Sequence, residues 1–355
     1  MVSTNSATVV ENINTTLVDF YVAFLLTIVF VSLLANIVVL TALYTQKANL
    51  RNSMDVFIAN VAVSDVISSF SATFTLNNAK LRWNSENGTC KTCYYLVFVS
   101  YAVTVLTLCL ASVDRFYGIC LPTKHRQVPI VKKQTISICL IWILSCLLFA
   151  PYIYAYEVKE FKLSSGKSKQ ICTQTWNSDS EQIYHSLVVL LLLFLAPIAL
   201  FIFVFVKVFL KLREPRSTAS GGNAILHKKR KKMTLMLLLM IGSQYVCWSP
   251  AIILNTLHIF GDTIRSYINI WLLFELVHFL RSIIYPLIYL AMYPNFRASL
   301  KALCSSGRSA ASHTNNGTTA NSMKNLSQPS SVPVSSAASD RSASYLPDDD
   351  VYTTT

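Results

Sequence analysis

Apolar residues fall into seven long blocks separated by short polar segments, at roughly 20–44, 54–78, 93–119, 135–156, 183–210, 233–260 and 268–292. A bilayer core of about 30 Å is crossed by about 20 apolar residues of helix, so each block is long enough to span it. Ser, Thr and Asn are scattered through the blocks, as suits helices that pack on one another as well as on lipid. The pattern predicts an all-α membrane protein whose seven-transmembrane helix bundle occupies residues 20–292. No fixed-period repeat relates the two halves.

Beyond the seventh block, residues 293–304 alternate apolar and basic positions at helical spacing. That spacing predicts a short amphipathic eighth helix lying on the membrane face. From 305 to 355 the chain is rich in Ser, Thr, Ala and Asn without apolar periodicity, which predicts a disordered tail. Residues 1–19 are polar and carry Glu11 and Asp19 but no Lys or Arg. A basic n-region is missing there, so no cleaved signal peptide is expected.

Composition agrees with the pattern. Of 355 residues, 53% are hydrophobic and only 13% charged, against about a quarter charged in a soluble domain. The net charge of +13 would suit nucleic acid, but its placement argues otherwise. If the N-terminus lies outside, 21 of the 30 Lys and Arg fall on the inner side, 8 on the outer side, and Arg281 within a block. The densest run, His227-Lys228-Lys229-Arg230-Lys231-Lys232, abuts an apolar block. This asymmetry predicts a multi-pass membrane protein with an extracellular N-terminus and a cytoplasmic C-terminus, partnered by the lipid bilayer and not by nucleic acid. The sequons at Asn14 and Asn87 then lie outside, where glycosylation occurs.

Several polar and proline positions stand out against the apolar background. Asp65 lies about 20 Å into the second block, where a carboxylate is costly and functional by default. Asp114-Arg115-Phe116 ends the third block. Cys247-Trp248-Ser249-Pro250 and Tyr285-Pro286-Leu287-Ile288-Tyr289 place a proline within the sixth and seventh. Such prolines remove a backbone bond and create hinges. With Asn36, Trp142 and Pro197, this ordered set resembles the class A, rhodopsin-like G-protein-coupled receptors along residues 20–304, most similar in character to the neuropeptide receptors.

The resemblance implies roles. Asp114 restrains Arg115 at rest, and Arg115 meets a heterotrimeric G protein once the sixth span swings outward; Phe116 stands where Tyr is usual. Trp248 responds to ligand, Pro250 and Pro286 are hinges, and Tyr289 turns inward on activation. The resemblance also pairs Cys90 with Cys172 in a disulfide, with Cys93, about one turn on, as competitor. Cys304 is a candidate for palmitoylation. Ser/Thr clusters such as Ser335-Ser336 and Thr353-Thr354-Thr355 imply a receptor kinase and arrestin as partners.

By position, the ligand pocket would include Val97, Phe98, Tyr101, Trp248, Ile252, Asn255, Glu275 and His278. Val97 occupies the place of the Asp that aminergic receptors use, and the seventh span has no Lys for retinal. Ser164-Ser165-Gly166 separates two alternating segments between Glu157 and Trp176, a hairpin signal. It resembles the outer loop of peptide receptors and points to a neuropeptide; a lipid or other small non-amine ligand is the alternative. Glu275 is expected to receive a basic group of the ligand, or else to pair with Lys80, Arg82 or Arg265. A seven-span transporter or channel is the remote alternative; the paired repeats and matching broken helices of transporters are not found in this sequence. No metal cluster, phosphate loop or nucleophile–base pair suggests an enzyme or a cofactor.

The polar centre departs from the family. Asp65, Thr104 and Ser282 match its usual sodium pocket, with Asn36 alongside, but Arg281 stands where Asn is usual and Tyr285 where Asn or Asp is. Arg281 lies at roughly the depth of Asp65, and a buried Arg needs a partner. Asp65 is expected to be that partner, with Arg281 replacing the ion. Gln244 replaces a Phe beneath Trp248, Phe205 replaces a Tyr, and Arg230 replaces an acidic partner of Arg115.

Overall fold

The computed structural model describes residues 15–45, 53–79, 86–121, 130–162, 168–213, 221–260, 267–294 and 296–303. They belong to one compact unit, Met1–Arg308; the second unit, Ser309–Thr355, lies outside the described residues, as do Asn14 and Cys304. Seven long helices follow in order. They are α1 Thr15–Thr45, α2 Ser53–Ala79, α3 Asn87–Cys120 and α4 Ile130–Phe149, then α5 Asp179–Arg213, α6 Gly221–Phe260 and α7 Tyr267–Met292. A short helix, α8, covers 296–303. Within the described residues, α1 to α6 each contain a stretch long and apolar enough to cross a membrane, and α7 contributes the shorter apolar stretch Phe279–Met292.

Each helix turns apolar side chains in two directions. Phe20, Phe24 and Phe30 of α1, Ile143 and Leu147 of α4, and Ile202 and Phe209 of α5 are exposed. In water so much exposed apolar surface would drive association; against lipid it is matched to its solvent. The inward faces carry small polar residues. Ser64, Ser68, Ser69 and Ser71 of α2 are buried, and the Ser69 and Ser32 hydroxyls lie 2.9 Å apart. Small side chains let α1, α2 and α3 approach closely.

Local chemistry sets the helix ends and one irregularity. Ser178 caps α5 by accepting from the Glu181 amide at 3.2 Å, with Asp179 and Glu181 in the first turn. Within α5, Leu191–Leu195 forms a π-helical turn just before Pro197. Proline has no N–H to continue the α-helical bonding, and the wider turn re-phases the helix at that point.

Between α4 and α5 the chain makes one turn, Tyr152–Ala155, then two strands, β1 Tyr156–Lys162 and β2 Ser168–Gln174. They pair antiparallel with Val158 opposite Cys172, forming the hairpin that the alternating segments predict. Cys172 bonds to Cys90, with 5.7 Å between the Cα atoms, and Cys93 is a free, buried thiol. The Val158 amide also donates to Asn87 Oδ1 at 3.1 Å. Tyr156 stacks on Tyr94 with ring centroids 4.4 Å apart. One covalent bond, one hydrogen bond and one ring stack therefore hold the hairpin on the first two turns of α3. At the bundle's other end, Phe57, Leu108, Met236, Tyr289, Tyr293 and Phe296 share one apolar cluster, which docks α8.

Candidate functional site

The polar centre is assembled from α2, α6 and α7. Positions 281, 285 and 289 recur every four residues and share one face of α7. Arg281 and Asp65 are buried to within 1% of complete exclusion, and Arg281 Nη2 donates to Asp65 Oδ1 at 2.8 Å. Ser282 Oγ donates to the same oxygen at 3.2 Å. Asn36 Nδ2 donates to the Ser282 carbonyl at 3.1 Å and to the Ser32 carbonyl at 2.9 Å, bringing in α1. The Thr104 and Ser64 hydroxyls lie 2.8 Å apart on the α3 side. Either charge alone would be expensive so deep; the pair offsets that cost in part, while Asp65 Oδ2 and Arg281 Nε and Nη1 bond no described residue.

Tyr285 extends this pair toward α6. The Arg281 guanidinium carbon lies 5.3 Å from the Tyr285 ring centroid, within cation–π range. Tyr285 Oη donates to Gln244 Oε1 at 2.8 Å and to the Met240 carbonyl at 3.3 Å. Arg281, Tyr285 and Gln244 are three separate departures in the sequence. In space they form one chain of contacts from Asp65 on α2 to α6.

Above this centre, Tyr101 and Trp248 stack with ring centroids 3.5 Å apart. Phe98 meets Tyr152 edge-on at 4.8 Å, and Ile252 packs against the same cluster. Val97, Phe98 and Ile252 are half-buried. The side chains of Asn255, Glu275 and His278 lie outside the described residues.

At the opposite end, Asp114 pairs with its neighbour Arg115. Gln134 Nε2 of α4 donates to the second Asp114 oxygen at 3.0 Å. Phe116 packs beside Ile119, Val204 and Val208. Tyr289 is fully buried, its ring 6.4 Å from Phe296 of α8. Tyr293 Oη donates to Asp55 Oδ1 at 2.6 Å, tying the end of α7 to the start of α2. Pro250 and Pro286 lie inside α6 and α7.

Two polar and aromatic groups carried no separable sequence signal. Asn60 bridges three helices: its Nδ2 donates to Thr107 Oγ1 at 2.7 Å, and its Oδ1 accepts from Trp142 Nε1 at 2.9 Å. The His185 ring sits 4.9 Å from Tyr152, 5.3 Å from Trp176 and 5.8 Å from Phe149. The aromatic density between 149 and 185 is visible in the chain, but its convergence depends on how α4, the loop and α5 fold back.

The sequence matches the family described as 7 transmembrane receptor (rhodopsin family) over residues 35–289. It is similar to neuropeptide Y receptor type 6 of Oryctolagus cuniculus, with 24% identity over 288 residues covering 76% of each chain. The family match runs from just before Asn36 to Tyr289, so it takes in Asp65, Asp114, Arg115, Trp248 and both helix prolines. It covers well over half of a chain whose helices cross a membrane repeatedly; the protein belongs to the rhodopsin family of seven-transmembrane, G-protein-coupled receptors.

Proposed function

We propose that this receptor lies in the plasma membrane with its N-terminus outside and answers an extracellular peptide by activating a heterotrimeric G protein. The observation that carries the peptide is the β1–β2 hairpin fastened to the start of α3 through Cys90–Cys172. Similarity to a receptor named for neuropeptide Y points the same way. The orientation rests on the 21 basic residues gathered on one side.

In this reading the ligand rests on Trp248 and Tyr101, walled by Val97, Phe98 and Ile252 with Asn255, Glu275 and His278. Glu275 receives a basic group of the peptide. Asp114, Arg115 and Phe116 form the G-protein end, reached when α6 swings about Pro250 and α7 adjusts at Pro286. Arg281 serves as the counter-charge of Asp65 in place of a sodium ion, a reading supported by their 2.8 Å contact. Asn14 and Asn87 carry glycans, Cys304 a palmitoyl chain, and the tail serves receptor kinase and arrestin.

The test is G-protein activation in cells expressing the full chain, screened against a neuropeptide library and a lipid library in parallel. A peptide response is expected; silence to peptides with a response to lipids overturns the ligand class. With an active peptide in hand, Glu275→Gln should weaken its potency about tenfold or more, the scale of a lost charge-assisted bond. Unchanged potency removes Glu275 from the site.

A further inference from the structure

We infer that the Tyr285–Gln244 hydrogen bond is the clasp that holds α6 against α7 at rest, making both side chains positioning residues for G-protein activation. The inference rests on membership of the G-protein-coupled family, not on the nature of the ligand.

The clasp occupies a mechanically sensitive place. Gln244 lies one turn before Trp248 and six residues before Pro250, on the half of α6 that an outward swing must carry away. Tyr285 directly precedes Pro286, one turn beyond Arg281. The Arg281–Asp65 bond and the Ser282–Asp65 bond pin this part of α7 to α2. Tyr285 therefore has a fixed base, and displacement of Gln244 has to stretch the 2.8 Å contact. The Met240 carbonyl, the other acceptor of Tyr285, sits on the same moving half of α6 and leaves with it.

Burial makes this bond a discriminating one. Tyr285 is 0% exposed and Gln244 1%. The amide nitrogen of Gln244 bonds no described residue, so its polar attachment to α7 runs through Oε1 alone. Water cannot readily replace a partner at that depth, and an orphaned buried acceptor costs more than the net value of the bond it lost. An apolar Phe at 244, as the family usually has, could not make this bond. Gln244 and Tyr285 thus act by setting how often α6 releases, with Trp248 above them and Arg115 below.

Basal G-protein activation, measured without ligand, tests the inference. The full-length receptor, reconstituted in lipid nanodiscs, is assayed for nucleotide exchange on a purified heterotrimeric G protein, normalised to monodisperse receptor. Gln244→Met keeps the side-chain length and removes the amide; Tyr285→Phe keeps the ring over Arg281 and removes the hydroxyl. Each should raise basal exchange about fivefold, the factor that one net hydrogen bond confers. The double variant should rise no further than Tyr285→Phe alone, because the hydroxyl that Gln244→Met deprives of its amide acceptor is already gone there. A purely structural role would lower the yield of receptor without raising exchange per receptor.

Exchange that stays flat or falls in either single variant, or effects that multiply in the double, overturns the clasp. If Tyr285→Phe does not fold, Gln244→Met and Gln244→Leu carry the same test, and flat exchange in both overturns it equally. No peptide enters the assay, so the clasp and the ligand class fail or stand separately.

Discussion

Removing one partner of the Asp65–Arg281 pair leaves the other charge buried without its counter-charge, a loss that costs about 3–5 kcal/mol. Asp65→Asn and Arg281→Met should therefore each lower the apparent melting temperature of purified receptor sharply. The double variant should melt well above the sum of the two losses, since it leaves no orphaned charge. Simple additivity would show that the pair is not energetically coupled. This contact was legible in the sequence, because a buried Arg needs a counter-charge and Asp65 is the carboxylate at its depth within the spans. The link from Tyr285 to Gln244 was not. Both residues stood out as departures, but their meeting depends on the rotational phase of α6 against α7, which residue identities do not specify.

At the level of elements, the hairpin is stapled to α3 at three points, and they can be separated. Cys90→Ser or Cys172→Ser should destabilise the receptor by about 2–5 kcal/mol, read as lower surface expression and an earlier thermal transition; wild-type stability in either would contradict a structural bond. Asn87 offers a finer test, because its side-chain carbonyl accepts from the Val158 amide while its nitrogen is the atom a glycan would use. Thr89→Ala abolishes the sequon and leaves the contact; Asn87→Leu removes both. If hairpin stability, followed by hydrogen exchange at Val158, falls in Thr89→Ala as far as in Asn87→Leu, the protein contact contributes little. The hairpin itself was readable from alternation around Ser164-Ser165-Gly166. The choice of Cys90 over Cys93 came from the family resemblance, and its geometry rests on register, with Val158 opposite Cys172. The π-turn at Leu191–Leu195 was invisible, because a run of leucines carries no periodicity to interrupt.

For the molecule as a whole, the seven apolar blocks were the most legible feature, since bilayer thickness leaves few alternatives for stretches of that length. The packing that joins them was less so. Asn60 reads as one polar residue among many until Thr107 and Trp142 arrive at either end of its amide. The global prediction concerns ions: agonist affinity measured in membranes should not change when sodium replaces a large organic cation at constant ionic strength. A sodium-dependent shift would mean that Asp65 still receives the ion. A guanidinium is charged at every pH a cell meets and cannot diffuse away from the chain that carries it. Receptors that borrow a counter-ion from the surrounding fluid let that fluid take part in their resting balance. If Arg281 stands in for the ion as proposed, the charge is made at the ribosome, one per molecule, and the threshold for signalling would be an inherited constant, open to revision by mutation but closed to the salt outside.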